Sequence, residues 1–200
     1  AYIRFDGVSL SYGGAPALQN VSFSLKKGGS LGVIGATGSG KSSLVALLMR
    51  FYDASEGAVY VGGENVKSYD PKALREKFGV VFQNDFLMAS SVRENIDFER
   101  GVPEEDVRRA AAYARADQFI GSHGGYESAL TARGSNFSGG QKQRLLIARA
   151  LAASPEILVL DDSSSALDYK TDAELRKTLL GDLRGTTVIM IAQRISSVRF

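Results

Sequence analysis

Residues 35 to 42 read Gly-Ala-Thr-Gly-Ser-Gly-Lys-Ser, a complete match to the spacing G-x-x-x-x-G-K-[ST]. No other feature of the chain restricts its fold as strongly. The apolar run Leu31-Gly32-Val33-Ile34 precedes the motif, and Leu44, Leu47 and Leu48 follow it at helical spacing. The segment therefore predicts strand, glycine loop, helix. Gly35, Gly38 and Gly40 let the backbone curl so that its N–H groups point inward at phosphate oxygens, and the helix beginning near Lys41 adds the positive end of its dipole. Lys41 is positioned to reach the β and γ phosphates of a nucleotide such as ATP, and the Ser42 hydroxyl to ligate Mg²⁺. Ala36, Thr37, Ser39 and Ser43 complete the candidate nucleotide contacts of the loop and first helical turn.

The rest of the chain supplies what such a loop needs. Alternation in Tyr2–Phe5 and Val21–Leu25 predicts two antiparallel strands facing a core on one side. Further strands are expected at Ala58–Val61, Gly79–Phe82, Ile157–Leu160 and Thr187–Ile191, the last two apolar at nearly every position as parallel strands covered on both faces are. Helices are expected near Glu104–Ala114, Gly140–Ala152 and Lys170–Leu180, with Gly121–Gly125 a flexible turn. Strands at both ends and a helical stretch from about 84 to 153 imply a mixed α/β core with a helical lobe inserted in it. Ile157–Leu160 runs into Asp161 and Asp162, so carboxylates stand at the carboxyl end of a buried strand, where open α/β sheets place their ligands. Asp161 is the candidate Mg²⁺ partner.

Composition excludes several alternatives. The formal charge is 24 − 22 = +2, which gives no reason to expect a nucleic-acid partner. The absence of cysteine rules out thiol catalysis and disulfide scaffolding and fits a reducing compartment. No apolar run approaches the roughly 18 residues of a membrane span.

A second glycine-rich segment, Phe137-Ser138-Gly139-Gly140-Gln141, followed by Lys142-Gln143-Arg144, opens another helix. One nucleotide needs one such loop, so a second suggests a site completed across an interface. With the phosphate loop and Asp161, this segment resembles the ATP-binding cassette (ABC) family and its LSGGQ signature. Phrases such as RFYDASEG, SVRENI and SSSALD look most like the nucleotide-binding domains of exporters. The resemblance covers essentially all 200 residues. It implies a P-loop NTPase core with an antiparallel β subdomain and an inserted α-helical subdomain: one domain over 1–200, with 1–83 and 154–200 as the core and 84–153 as the helical subdomain. Because the family's domain usually runs on beyond the segment ending at Phe200, it also implies a C-terminally truncated form.

Residue roles follow from the same resemblance. Tyr12 falls where the family stacks an aromatic on adenine, the alternative being a packed rim residue. Gln83 matches the residue that touches Mg²⁺ or the attacking water and couples the γ-phosphate to the helical lobe. Ser165-Ala166-Leu167-Asp168 matches a loop that lies along the dimer interface, while Ser163–Ser165 could simply cap the next helix. Ser138, Gly139, Gly140 and Gln141 would act in trans, on nucleotide held by a second nucleotide-binding domain.

Two positions depart from the pattern. Hydrolytic members carry Glu as the general base where this chain has Asp162, whose carboxylate is withdrawn by about an ångström or more, whereas a base must stand about 2.6–3.2 Å from its proton. Gln193 stands where the family has a switch histidine, and an amide cannot become cationic. A further departure, Ser128–Gly134, lacks the acid exporters carry near Ala132. The single histidine, His123, lies among glycines and is expected to be a solvated loop residue. The resemblance thus implies an ATPase domain that binds Mg-ATP at a degenerate site on the cytoplasmic face of the cell membrane. Its partners would be transmembrane domains and a different nucleotide-binding subunit whose hydrolytic site its signature completes. A hydrolytic homodimer and a soluble non-transport ABC ATPase remain the alternatives.

Overall fold

The computed structural model describes residues 1–162, 166–183 and 185–193. Two four-stranded sheets organise it. The first is antiparallel and formed by β1 (Ile3–Ser11), β2 (Pro16–Leu25), β4 (Glu56–Val61) and the short β5 (Glu64–Asn65), in the order β2-β1-β4-β5. The second is parallel and contains β3 (Ser30–Ile34), β6 (Phe78–Val81), β7 (Ile157–Asp161) and β8 (Thr187–Ala192), in the order β3-β8-β7-β6. The helices are α1 (Lys41–Leu48), α2 (Pro71–Arg75), α3 (Val92–Asp97), α4 (Glu104–Tyr113), α5 (Asp117–Ser122), α6 (Gly139–Ala152) and α7 (Tyr169–Gly181).

Successive side chains of β7 and β8 explain why their sequences are apolar at nearly every position. Ile157, Val159, Ile189 and Ile191 point into a core shared with α1 and the antiparallel sheet. Leu158, Leu160, Val188 and Met190 point the other way, into a core built on the helices. A strand covered on both faces leaves polar residues only at its ends, here Asp161 on β7 and Thr187 on β8. Both strands are buried along their entire length.

The first strand is longer than the Tyr2–Phe5 alternation suggests. Register shifts between Phe5 and Val8 and beyond disturb the period of two, and Gly7 sits there with φ 58°. The strand still buries Val8 and Leu10. Two short helices absent from the sequence expectation carry readable start signals. Asp70 caps α2 ahead of Pro71, and Ser91 with Glu94 forms a capping box on α3. Helix α5 has no side-chain cap and overlaps the segment expected to be a flexible turn at Gly121–Gly125. Asp168 caps α7 by accepting from the Thr171 N–H and hydroxyl, so that helix does not need a serine cap; Ser163–Ser165 lie outside the described residues.

The region between β6 and β7 is tied together by polar as well as apolar contacts. Asn95 is fully buried, and its amide donates to the Met88 carbonyl, the Ser90 hydroxyl and the Ser91 carbonyl while its oxygen accepts from the Met88 N–H. Arg149 on α6 donates to the same oxygen, to the Asn95 carbonyl and to the Phe86 carbonyl. Burial lowers the Arg149 pKa, yet these bonds keep its charge satisfied. No helix among the described residues is long and apolar enough to cross a membrane.

Candidate functional site

Because β3, β6, β7 and β8 are parallel, their carboxyl ends all emerge on one edge of the sheet, and the four segments that leave them meet there. The loop after β3 wraps a turn between Ala36 and Ser39, whose N–H donates to the Ala36 carbonyl. Gly38 and Gly40 hold φ of 80° and 87°, in the left-handed region that favours glycine. At Gly40 a Cβ would also collide with the Ala17 carbonyl, and at Gly35 with the Ser39 side chain. Gly38 and Gly40 are therefore required by backbone shape, and α1 starts directly from the left-handed Gly40 with no side-chain cap. Its first amides stay available for an anion.

Lys41 folds back over the loop and donates to the Gly35 and Ala36 carbonyls, each at 2.7 Å. The Ser42 hydroxyl donates to Asp161 Oδ2 at 3.2 Å, joining residues 119 positions apart. Burial raises the Asp161 pKa; the Ser42 hydrogen bond opposes that shift, the Asp162 charge adds to it and Lys41 opposes it. A buried carboxylate beside a hydroxyl is a hard oxygen pair suited to Mg²⁺, which takes few protein ligands and leaves the remainder to water and phosphate. The donor set therefore fits the metal with Gln83 alongside, although no cluster of three or more His, Cys, Asp or Glu ligands occurs among the described residues.

A cavity of about 310 Å³ opens over this edge. The loop and helix residues Thr37, Gly38, Gly40, Lys41, Ser42 and Ser43 line it together with Gln83, Asp161, Asp162, Gln193 and Tyr12. Gln83 is placed by a turn in which Asp85 accepts from the Phe82 N–H and donates its own N–H back to the Phe82 carbonyl. Asp162 has φ 50°, in the left-handed region that Asp tolerates better than most side chains, and its N–H donates to the Ile191 carbonyl. Gln193 Nε2 donates to Asp162 Oδ2 at 3.3 Å. The two departures noted in the sequence thus touch each other at the cavity wall. The Tyr12 ring is half exposed, its hydroxyl donates to Ser43 Oγ at 3.0 Å, and the residue lines the cavity.

Other candidates lie elsewhere. Gly35, Ala36 and Ser39 shape the loop without lining the cavity, and Ser138–Gln141 are not among its walls. Ser138 caps α6 in a reciprocal box with Gln141: its Oγ accepts from the Gln141 N–H, and Gln141 Oε1 accepts from the Ser138 N–H. The Ser138 hydroxyl hydrogen has no acceptor among the described residues, and Ser138 and Gly139 are exposed. His123 is exposed as expected, but it is not a free loop side chain. It ends α5, its Nδ1 lies 2.8 Å from the Phe119 carbonyl, and its ring stacks on Phe137 at 4.7 Å. Sequence reasoning missed Ala17, which lines the cavity from β2 with no motif to mark it, and Tyr52, which meets Tyr12 edge-on.

Comparison with known proteins agrees with this geometry. Residues 18–165 match the family described as ABC transporter. The leukotoxin translocation ATP-binding protein LktB of Mannheimia haemolytica is 41% identical over 202 residues, covering 99% of this chain and 28% of that protein. The Beta-(1-->2)glucan export ATP-binding/permease protein NdvA of Bradyrhizobium diazoefficiens is 39% identical over 199 residues, 98% of this chain and 33% of that protein. A solved structure described as a bacterial Atm1-family ABC exporter with ATP bound superposes with a TM-score of 0.91 at 33% identity, covering 98% of this chain and 35% of that one. The chain spans about a third of the length of these relatives. With its phosphate loop, strand-end acids and signature helix on an ABC ATPase fold, the chain belongs to the ABC transporter family as a nucleotide-binding domain of the exporter type.

Proposed function

We propose that this domain binds Mg-ATP with high occupancy, turns it over slowly, and completes with its own signature the faster site of a different nucleotide-binding subunit. The observation that carries the proposal is the contact between Asp162 and Gln193 at the wall of an otherwise fully equipped cavity. Tyr12 would stack on the base, the loop from Gly35 to Ser43 would hold the phosphates, and Ser42, Asp161 and Gln83 would hold the metal. Bound Mg²⁺ would neutralise charge developing on the phosphates. What the site lacks is a carboxylate of glutamate's reach and a side chain able to become cationic beside it. Loss of a general base alone costs about 10²–10⁴ in rate.

The signature is built to act on a neighbour. It lies outside this cavity, its serine hydroxyl hydrogen is uncommitted among the described residues, and Ser138 and Gly139 are exposed. In the proposal, residues 1–83 and 154–200 form the nucleotide-binding core and 84–153 the lobe that carries the signature. Closure of the two subunits on ATP and reopening after hydrolysis at the partner's site would drive transmembrane domains from the cytoplasmic face of the membrane. The exporter names of LktB and NdvA support that setting.

The test is an asymmetry in the assembled heterodimer. Ser138→Ala with Gly139→Asp removes a preorganised donor from the partner's site and should lower steady-state ATPase by about 10²–10³. Lys41→Ala should abolish ATP binding to this chain and cost far less turnover. Equal losses would mean equivalent sites, and the reverse order would place the working site on this chain. Brisk Lys41-dependent turnover by this subunit alone would favour a hydrolytic homodimer.

A further inference from the structure

Tyr12 would be a poor platform for a nucleobase if it stood alone. It follows directly on β1, at a hairpin whose next residues are Gly13 and Gly14, and its ring is half exposed. A side chain so placed samples several rotamers, and freezing it on a ligand weakens binding roughly two- to tenfold. Two contacts remove that freedom before any ligand arrives. Ser43, in the first turn of α1, accepts the Tyr12 hydroxyl at 3.0 Å and anchors the tip of the ring to the helix that carries the phosphate loop. Tyr52, four residues beyond the end of α1, meets the ring edge-on, with centroids 4.9 Å apart and planes at 80°. The same stretch is sewn to the hairpin by Ser55, whose N–H donates to the Ser9 carbonyl and whose hydroxyl accepts from the Ser11 N–H at 3.1 Å.

We infer that Tyr52 is a positioning residue for the nucleobase: with Ser43 it locks Tyr12 in one orientation, so that base binding meets a preorganised face. A single T-shaped contact covers at most one face of the Tyr12 ring and leaves the other for stacking. The inference rests on the proposal that Tyr12 stacks on the base. It adds a residue that need not touch the nucleotide and yet sets part of its affinity, selectively for the base over the phosphates. The phosphate loop has its own scaffold in Gly35–Ser42 and does not depend on Tyr52.

The experiment is calorimetric titration of the full-length assembled protein with Mg-ATP and, separately, with Mg-tripolyphosphate, which offers phosphates without a base. Tyr52→Leu should weaken Mg-ATP binding at this site roughly two- to tenfold, the range set by freezing one side chain, and leave tripolyphosphate within about twofold. Tyr52→Phe keeps the edge and should restore wild-type affinity for ATP. A Tyr52→Leu loss that is equal for both ligands would mark a merely structural residue and overturn the inference, as would no loss at all. Tyr12→Ala run in parallel separates the two ideas. If it weakens ATP while Tyr52→Leu does not, stacking stands and the positioning role falls; if Tyr12→Ala leaves ATP binding unchanged, stacking itself fails.

Discussion

The weak base of the proposed site can be restored, and the structure sets how much that should achieve. Asp162→Glu adds one carbon–carbon bond, about 1.5 Å of reach, to a carboxylate that now sits at the cavity wall in contact with Gln193. That increment exceeds the width, about 0.6 Å, of the range of about 2.6–3.2 Å in which a base must stand, so it separates a carboxylate that can accept from one that cannot. Gln193→His supplies a side chain that can carry charge beside it. The backbone at 162 opposes the change modestly, since φ 50° suits Asp better than Glu. We expect the pair of substitutions to raise turnover at this chain's site by about 10²-fold, the lower end of what a general base contributes. The assay is phosphate release by the heterodimer in the Ser138→Ala, Gly139→Asp background, where the partner's site is silenced and the remaining activity belongs to this chain. Adding Lys41→Ala must abolish the gain. No gain despite unchanged ATP binding would refute the argument from reach, and fast turnover by the unmodified site would refute the premise that reach is missing.

Two further outcomes concern the scaffold. Asn95→Ala strips the Met88 N–H and carbonyl of their partners and one Arg149 N–H of its acceptor, and lost partners in a buried setting cost about 1–3 kcal/mol each. Amide hydrogen exchange at Met88 should accelerate at least tenfold, and unchanged protection there would show that the network does not hold the segment after Gln83. Glu156 accepts from Lys77 at 2.8 Å, from the Tyr2 hydroxyl at 2.7 Å and from Lys27 at 3.3 Å, and the Lys77 hydrogen bond leads the causes that bring its pKa down to about 2 from 4.5. A depressed carboxylate stabilises the fold above its unfolded value and loses that contribution as pH falls through the folded one. The stability gap between the wild type and Glu156→Gln should therefore be about 1 kcal/mol at neutral pH, discounted for solvent screening, and should close between pH 4.5 and 2 in urea titrations. A gap independent of pH would mean the ion pairs carry none of it.

What was legible in the sequence was whatever local chemistry dictates. The glycine loop needs left-handed backbone and close approach at fixed spacing, and Gly38 and Gly40 adopt it. The double-faced apolar runs of β7 and β8 could only be central strands. Helices α2 and α3 were not expected, because hydrophobic periodicity passes over segments of five and six residues, although Asp70-Pro71 and the Ser91–Glu94 box mark their starts. Helix α5 has no side-chain cap to announce it; packing of Phe119 and Ile120 onto the helical core holds it. The aromatic stack of His123 on Phe137 joins residues separated by a loop and was beyond any local rule.

The site divides in the same way. Sequence by itself determined which residues could hold phosphate and metal, because Lys41, Ser42 and Asp161 are chemically suited wherever they meet. Only the parallel pairing of β3, β8, β7 and β6 decided that they do meet, by bringing strand ends from distant parts of the chain to one edge. Tertiary structure alone set Asp162 against Gln193, closed the wall with Ala17 and braced Tyr12 with Ser43 and Tyr52. The physical reason is that motif chemistry resides in neighbouring residues, whereas contact across a sheet edge depends on strand order and register, which no short stretch of sequence encodes.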